Sequence, residues 1–395
     1  MPLRLATLLA LAVAVQAGGQ TPVKPPPGTP VPADFPASGK YWVFFGTYTG
    51  KDSKGVYRCE LDAVTGKLSA PELAAEVGSP SFLHIAPDGK TLYAVGEAEG
   101  KDGGGVYSWK LDPATGKLSD QVSLTSKGAG PCHISTDAKN QFAVVANYGG
   151  GSTTLFKLKA DGSLDARTGF VQHEGKVFDA KRQGGPHAHC GFFDATGRLV
   201  FVNDLGLDRV LIYDLNRDTG DITPHDPAFI KMPDRSGPRH IHIVPGNEVA
   251  FVNGEIDMTV HVIKMDVKAN KFELVQSLST LPEGEKVVPA FSTAECRIHP
   301  NGQFVYVSNR GHNTIAAFSY DPREMRLKPV GHIRGDIKTP RNFNISPDGK
   351  WMLVASQDGG KVGVYEIDAK TGLARETEAA VKVGSPVCVK FLAKP

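Results

Sequence analysis

A phrase of about nineteen residues recurs six times along this chain, and a repeat of this kind constrains the fold more than any local pattern does. It is written most fully at residues 79–97, as SPSFLHIAPDGKTLYAVGE, and returns in degraded form at residues 130–148, 185–205, 237–255, 292–310 and 339–357. The turns at its centre lie 47 to 57 residues apart, at Gly89, Asn140, Gly197, Asn247, Gly302 and Gly349. A period near fifty built from strand signals predicts one β-propeller blade for each phrase.

Each phrase divides into the strands of a blade. A Pro near its start precedes a short strand, and a turn of the Pro-Asp-Gly type follows, in which glycine allows the tight reversal. The next strand, such as residues 91–95, is apolar on both faces and suits a position buried between blades. A third strand, such as residues 105–111, ends in a turn of the Asp-x-x-Thr-Gly type that leads into an outer strand.

The two ends of the chain supply a seventh blade. Residues 385–391 read as a first strand with nothing after it, whereas residues 41–47 and 55–61 read as second and third strands with no first strand before them. Pairing the C-terminal strand with the N-terminal strands closes the ring and removes its open sheet edges. The predicted fold is therefore all-β, a seven-bladed β-propeller over residues 40–395.

The N-terminus differs in kind from the repeats. Arg4 precedes a short apolar run at residues 5–15 and small residues before a cut near Ala17, which is typical of a secretory signal peptide over residues 1–17. The run is too short to span a membrane, and a Pro-rich linker at residues 18–39 follows it. We expect an exported protein, periplasmic or extracellular, with no membrane span after cleavage. The net charge of +2, with scattered charges, argues against nucleic acid as a partner.

Five cysteines complete the composition: Cys59, Cys132, Cys190, Cys296 and Cys388. Because the number is odd, at least one thiol is free or pairs with another chain. Four of them fall near the start of a first strand, where we expect them to line the central channel as small buried residues. A disulfide between neighbouring blades stays open as an alternative in an oxidising compartment.

Ionisable residues gather at one end of the repeat. First strands begin, and second strands end, on the same face of a propeller, so these positions meet around the axis. The starts contribute His133, His189, Arg239, His240 and Arg341, with His187 as an alternative in register to His189. The ends contribute Glu97, Asn147, Tyr148, Glu255, Arg310 and Gln357. Such clusters shift pKa values and mark functional sites, so this mouth is the candidate site.

Seven short motifs, taken together, resemble one protein family. They are Gly46-Thr47-Tyr48-Thr49, Gly130-Pro131-Cys132-His133, Val145-Ala146-Asn147-Tyr148, His187-Ala188-His189, Asp204-Leu205-Gly206, Gly237-Pro238-Arg239-His240 and Ser308-Asn309-Arg310-Gly311. Their order is similar to that of the lactonase seven-bladed propellers, which include the bacterial propeller-type 6-phosphogluconolactonases and the fungal carboxy-cis,cis-muconate cyclases. The resemblance covers the chain from about residue 41 onwards. It implies a metal-free axial site that opens or forms lactones.

The cyclase branch of that family also implies catalytic residues. A histidine of blade three, an arginine and a glutamate of blade four and an arginine of blade five are proposed to act there, and their counterparts here are His189, Arg239, Glu255 and Arg310. One departure is the export signal, because the substrate of a 6-phosphogluconolactonase is cytosolic. We therefore favour another sugar-derived or carboxylated lactone as the substrate.

The chemistry of the mouth can be assigned from residue types. Neutral histidine suits a base that activates water, so His189 is the candidate base and His133 its alternative. Arg239 and Arg310 suit a developing oxyanion, Arg341 suits a substrate anion, and Glu255 orients Arg239 or His240 or acts as an acid. The remaining candidates line the substrate pocket: Asn147, Tyr148, His187, His240, Glu97 and Gln357.

Other functions remain as alternatives. Histidines 187, 189, 133 and 240 suggest a metal site, but nearby arginines would repel a cation, so we expect neither metal nor cofactor. The function favoured is metal-independent hydrolysis of a lactone. The alternatives are a muconate-type cycloisomerase that forms lactones, and a non-catalytic exported propeller that binds a carbohydrate or a protein. The expected partner is a small-molecule lactone, and the expected assembly is a monomer or a weak dimer.

Overall fold

The computed structural model describes residues 39–97, 103–178, 181–244, 246 and 248–395. Across these residues the chain forms 28 strands in seven four-stranded sheets, with no helix. Those residues contain no helix that is apolar and long enough to cross a membrane. The expected signal peptide at residues 1–17 and the expected linker, except for its last residue, lie outside the described residues.

Each sheet is one blade of the propeller. Blade one holds β4 (Pro80–Ile85), β5 (Thr91–Gly96), β6 (Gly105–Leu111) and β7 (Leu118–Thr125). Blade two holds β8 (Pro131–Thr136), β9 (Phe142–Asn147), β10 (Ser152–Leu158) and β11 (Leu164–Gln172). Blade three holds β12 (Ala188–Phe193), β13 (Leu199–Asp204), β14 (Arg209–Leu215) and β15 (Ile222–Lys231). Blade four holds β16 (Pro238–Ile243), β17 (Val249–Gly254), β18 (Thr259–Asp266) and β19 (Lys271–Ser279).

The remaining three blades follow the same plan. Blade five holds β20 (Ser292–Ile298), β21 (Phe304–Arg310), β22 (Thr314–Asp321) and β23 (Arg326–Ile333). Blade six holds β24 (Pro340–Ile345), β25 (Trp351–Ser356), β26 (Lys361–Ile367) and β27 (Ala374–Lys382). Blade seven combines the two ends of the chain: β28 (Pro386–Ala393), β1 (Lys40–Thr47), β2 (Gly55–Asp62) and β3 (Glu72–Glu76).

The pairing of β28 with β1 closes the ring, as predicted. The two strands are antiparallel, with Tyr41 opposite Ala393 and Phe45 opposite Val389. The first strands of successive blades, from β4 through β8, β12, β16, β20 and β24 to β28 and back to β4, contact one another around the axis. The sequence prediction of a seven-bladed propeller closed by its C-terminal strand is confirmed.

Second strands form the core between blades. Strands β5, β9, β13, β17 and β25 are buried at every residue, because neighbouring blades cover both of their faces. Large side chains fill this space, including Phe201, Phe251 and Tyr306. The outer strand β7, by contrast, alternates partly buried and exposed residues, as expected for a strand with one face in solvent.

The Asp-x-x-Thr-Gly turns join one blade to the blade before it. At Gly116, where φ is +64°, a β-carbon would lie 2.6 Å from the ring of Trp42. The indole N–H of Trp42 donates to the carbonyl of Pro113 in the same turn at 3.0 Å. Gly66 meets Trp351 in the same manner, and Trp351 donates to the carbonyl of Ala63 at 2.8 Å. The repeated turn therefore serves as an interblade contact as well as a hairpin.

A bulge at the start of the first strands determines what faces the axis. In blade one the register shifts between Pro80 and Phe82, and comparable shifts occur at the starts of β8, β12, β16, β20, β24 and β28. In a regular strand consecutive side chains point to opposite faces, but a bulge re-aims a side chain. Two consecutive residues of one strand therefore line the channel, as Arg239 and His240 do.

Candidate active site

The mouth of the channel at which first strands begin contains a small cavity of about 10 Å³, roughly the room for one water molecule. Six of the seven first strands contribute to it, and Glu97 joins them from the end of β5. Its walls are formed by Ser81, Phe82, Glu97, Cys132, His189, Arg239, His240, Arg341, Asn342 and Val387. Polar and ionisable groups from different blades thus converge on one space, which we call the axial cavity.

Glu255 is the centre of an ion-pair cluster beside the axial cavity. Its Oε2 atom lies 2.8 Å from Nε of Arg239 and 2.9 Å from Nη2 of Arg310, and its Oε1 atom pairs with Arg182. The residue is only 5% exposed. Burial by itself would raise the pKa of Glu255, but the guanidinium groups of Arg310 and Arg239 outweigh it and hold the pKa well below its usual value. Glu255 is therefore a carboxylate at neutral pH.

Arg239 connects this cluster to the axis. Its Nη1 atom donates to the carbonyl of Ala294 and to Nε2 of His240, the latter at 3.1 Å. Since Nε2 of His240 accepts, Nδ1 carries the proton and donates to Oε1 of Glu295 at 3.0 Å. Burial and the neighbouring Arg239 lower the pKa of His240 well below its usual value. The network fixes the orientation of Arg239 with its side chain 3% exposed.

His189, from the blade next to that of Arg239, lines the axial cavity as a neutral imidazole. Its Nδ1 atom is 3.8 Å from Sγ of Cys132, and its ring meets the rings of Tyr148 and His240 edge-on, with centroids 5.4 and 5.3 Å away. Burial and Arg239 lower the pKa of His189 well below its usual value. Among the described residues, Nε2 of His189 has no hydrogen-bond partner. A neutral ring with a free nitrogen at a cavity is suited to accept a proton from water.

Arg341 occupies another side of the axial cavity. Its guanidinium lies over the ring of Tyr48, 5.3 Å from the centroid, and the hydroxyl of Tyr48 donates to Oε2 of Glu97 at 2.9 Å. Within the described parts of the chain, no carboxylate forms an ion pair with Arg341. In contrast to Arg239 and Arg310, Arg341 therefore keeps its positive charge available for a ligand.

Comparison with known proteins agrees with this fold. The family described as a lactonase with a seven-bladed β-propeller matches residues 42–391. This chain belongs to that family. The 6-phosphogluconolactonase of Bacillus subtilis is 32% identical over 353 residues, which cover 89% of this chain and 99% of that protein. The 6-phosphogluconolactonase of Serratia proteamaculans is 30% identical over 278 residues, 69% of this chain and 78% of that protein.

A solved structure extends the similarity to the backbone of this lactonase propeller. The periplasmic gluconolactonase PpgL of Pseudomonas aeruginosa matches with a TM-score of 0.84 at 29% identity, over 90% of this chain and 100% of that one. These matches confirm the family resemblance inferred from the sequence motifs. They also confirm, at the level of the family, the prediction of a hydrolase of the lactonase type.

Several predicted site residues of the lactonase propeller lie beside the axial cavity without lining it. Tyr148 stacks on His187 with centroids 4.5 Å apart, and Nδ1 of His187 lies 3.0 Å from the carbonyl of Tyr148. His133 packs one layer below, on Phe82, with centroids 4.2 Å apart. Arg310 contacts Glu255 and the carbonyl of Thr293. These positions support the residues of the cavity wall.

Two predicted residues are directed elsewhere. The amide nitrogen of Asn147, which is fully buried, donates to the hydroxyls of Ser152 and Thr154 in its own hairpin at 3.1 and 3.0 Å. Gln357 lines a separate groove between blades six and seven. The repeat explains the case of Asn147, because Asn147 still belongs to β9, whereas Glu97 and Glu255 each follow the last residue of their strand. Gln357 also follows the last residue of its strand, so its position in the repeat does not explain its direction.

Arg182 and Tyr48 are members of the site that sequence reasoning did not select. Arg182 lies between β11 and β12, in a stretch longer than the corresponding segments of other blades, and this extra length was the available signal. Tyr48 follows the second strand of blade seven directly, as Glu97 and Glu255 follow theirs. Tyr48 therefore holds the same position in its blade as Glu97 and Glu255, one residue beyond the Thr47 that ends β1.

The cysteines differ in part from expectation. All five are free and buried. Cys132 lines the axial cavity, but Cys190, Cys296 and Cys388 pack in the apolar clusters between blades rather than along the channel. Their strands begin at the channel, yet alternation along a strand turns these side chains towards the neighbouring blade. Among the described residues, no group of three or more His, Cys, Asp or Glu side chains is arranged to hold a metal.

Proposed function

We propose that this protein is a metal-independent lactonase that hydrolyses a sugar-derived or carboxylated lactone at the axial cavity. The observation that carries the proposal is the juxtaposition in one cavity of neutral His189, the buried guanidinium of Arg239 and the guanidinium of Arg341, which forms no ion pair with a described carboxylate. A base, a fixed positive charge for an oxyanion and a positive charge for a substrate anion are the groups that this reaction requires.

The reaction begins with water held by His189. Nε2 of His189 takes a proton as the water oxygen bonds to the lactone carbonyl carbon, which gives a tetrahedral intermediate with a negative oxygen. Arg239 stabilises that oxygen by a charge already present in a site that excludes bulk water. The imidazolium of His189 then returns its proton to the ring oxygen as the bond between that oxygen and the carbonyl carbon breaks. The product is a hydroxy acid.

Glu255 acts through the arginines rather than on the substrate. With Arg239, Arg310 and Arg182 around it, the carboxylate offsets part of their mutual repulsion and fixes the direction of Arg239. Two of its atoms serve three guanidinium groups, so the cluster keeps a net positive charge. That excess favours a transition state with a developing negative charge.

Arg341 defines the class of substrate. Because its guanidinium has no carboxylate partner among the residues that the structure describes, it favours a lactone that bears a phosphate or a carboxylate. Similarity to 6-phosphogluconolactonases and to a periplasmic gluconolactonase supports a six-carbon sugar lactone. The signal-like N-terminus, together with the periplasmic location of PpgL, supports export, so the substrate is a lactone found outside the cytosol.

A lactone panel tests this proposal. Acid release by the purified protein is followed in a pH-stat, with EDTA present, on 6-phosphogluconolactone, gluconolactone and muconolactone. We expect the wild type to turn over a lactone in the presence of EDTA. In Arg341→Gln, we expect the rate of hydrolysis to fall more on 6-phosphogluconolactone than on uncharged gluconolactone. Arg326→Gln, on the exposed end of β23, is the matched control. Absence of turnover on every lactone by a folded protein would contradict the proposal.

A further inference from the structure

The axial channel contains a second cluster of polar side chains, closer to the face opposite the axial cavity. It consists of His84, His242, Arg297, Asn344 and Lys390, which we call the lower ring. They occupy equivalent places in the first strands of blades one, four, five, six and seven, opposite Tyr93, Phe251, Tyr306, Leu353 and Phe44 of the second strands. Topology therefore brings them together around the axis.

The lower ring is separated from the axial cavity by a buried layer. That layer contains His133, His240, Glu295 and Asn342, each at most 4% exposed. The five residues of the lower ring are all partly exposed. Since the layer above them is closed to solvent, we infer that water reaches the lower ring from the second mouth of the channel.

Positive charge in the lower ring exceeds the negative charge near it. The Lys390 ammonium lies over Phe82, 4.3 Å from the ring centroid, and forms no ion pair with a described carboxylate. Arg297 lies beside Glu295, with Nε 3.4 Å from Oε1 and Nη2 3.4 Å from Oε2. Glu295 is also engaged by Nδ1 of His240 at 3.0 Å and by the amide of Asn342. Two cations thus face one carboxylate that is already shared.

The cationic groups of the lower ring disfavour one another. Burial lowers the pKa of Lys390, and the charge of Arg297 lowers it further. Burial, with added repulsion from neighbouring cations, lowers the pKa of His84 and of His242 to about 3, so both rings are neutral at neutral pH. An anion between Lys390 and Arg297 would relieve the repulsion, and neutral imidazoles can donate N–H groups to it without adding charge.

We propose that the lower ring is a binding site for a small oxyanion of the phosphate or carboxylate class, held between Lys390 and Arg297. Both groups suit such a ligand, the guanidinium as a planar fork of donors and the ammonium as a compact charge. The site is independent of the proposed lactonase reaction, because Lys390 and Arg297 do not line the axial cavity. An anion there would occupy the second mouth of the channel.

Calorimetric titration tests this site. The full-length protein is titrated with inorganic phosphate and, separately, with acetate at constant ionic strength, which distinguishes the two ligand sources. Lys390→Met removes the charge and keeps an apolar stem, whereas Lys390→Arg keeps the charge. Lys157→Met, at an exposed position of β10, is the matched control. Arg341→Gln removes the competing anion site in the axial cavity.

We expect the lower ring to bind one anion in the wild type, in Lys157→Met and in Arg341→Gln alike, and to bind it at least tenfold more weakly in Lys390→Met. Lys390→Arg should retain binding, which keeps the test valid if Lys390→Met folds poorly. Binding that is lost in Arg341→Gln and kept in Lys390→Met would assign the anion to the axial cavity and overturn the proposal. Absence of binding of both phosphate and acetate to the wild type would also overturn the proposal.

Discussion

Nε of Arg239 lies 2.8 Å from Oε2 of Glu255, and the two residues come from the same open end of one strand pair in blade four. Arg239 is the second residue of β16, and Glu255 directly follows β17. The first strand begins where the second one ends, so a single hairpin delivers both charges to the mouth of the channel. Arg310 and Arg182 then join the same carboxylate from elsewhere in the ring.

Replacing Glu255 by Gln should reduce both activity and stability. The change leaves three guanidinium groups without their shared carboxylate, so Arg239 loses its fixed orientation. We expect kcat/KM on the best lactone to fall by about 100-fold. Removing one partner of a buried ion pair also costs about 3 kcal/mol of unfolding free energy, measured by urea denaturation. Glu273→Gln, at an exposed position of β19, is the control and should change neither quantity.

The pH dependence of kcat/KM should lack a descending limb near pH 6.5. His189 has a folded-state pKa well below the ordinary 6.5, because burial and Arg239 disfavour the imidazolium. As the pH falls, the neutral base is therefore lost only at the lowered pKa and not at the ordinary one. We expect kcat/KM to stay level from neutral pH to well below 6.5. Half-maximal activity at the ordinary pKa of histidine would contradict the environment described for His189.

Removing residues 387–395 should abolish the folded state. The deletion takes away nearly all of β28, the innermost strand of blade seven, and exposes β1 and both sides of the opened ring. We expect loss of cooperative thermal unfolding by circular dichroism, and aggregation on size-exclusion chromatography. A deletion of residues 394–395 leaves β28 intact and should preserve the transition. A cooperative fold in the longer deletion would show that the ring does not need this closure.

Much of this molecule follows from its repeat. Matching the unpaired strands at the two termini was enough to predict blade seven, because closure is the solution that leaves no open edge. The location of the candidate site at one mouth of the channel was also predictable, because first strands begin and second strands end on the same face of the propeller. The directions of the Asn147 and Cys296 side chains were not predictable from the repeat. They depend on bulges and on the residue at which a strand ends. Arg182 lies outside the repeat, so no column of equivalent positions pointed to it.

The most direct test of the central claim is the rate of lactone ring opening by His189→Gln, measured beside the wild type on the best substrate of the panel. Glutamine keeps a polar side chain of similar reach but cannot accept the proton of water. We expect kcat to fall by about 100-fold or more, with the thermal transition preserved. His332→Gln, on the outer strand β23, should retain wild-type kcat. Wild-type kcat in a folded His189→Gln would remove His189 from the chemistry and contradict the account of the axial cavity.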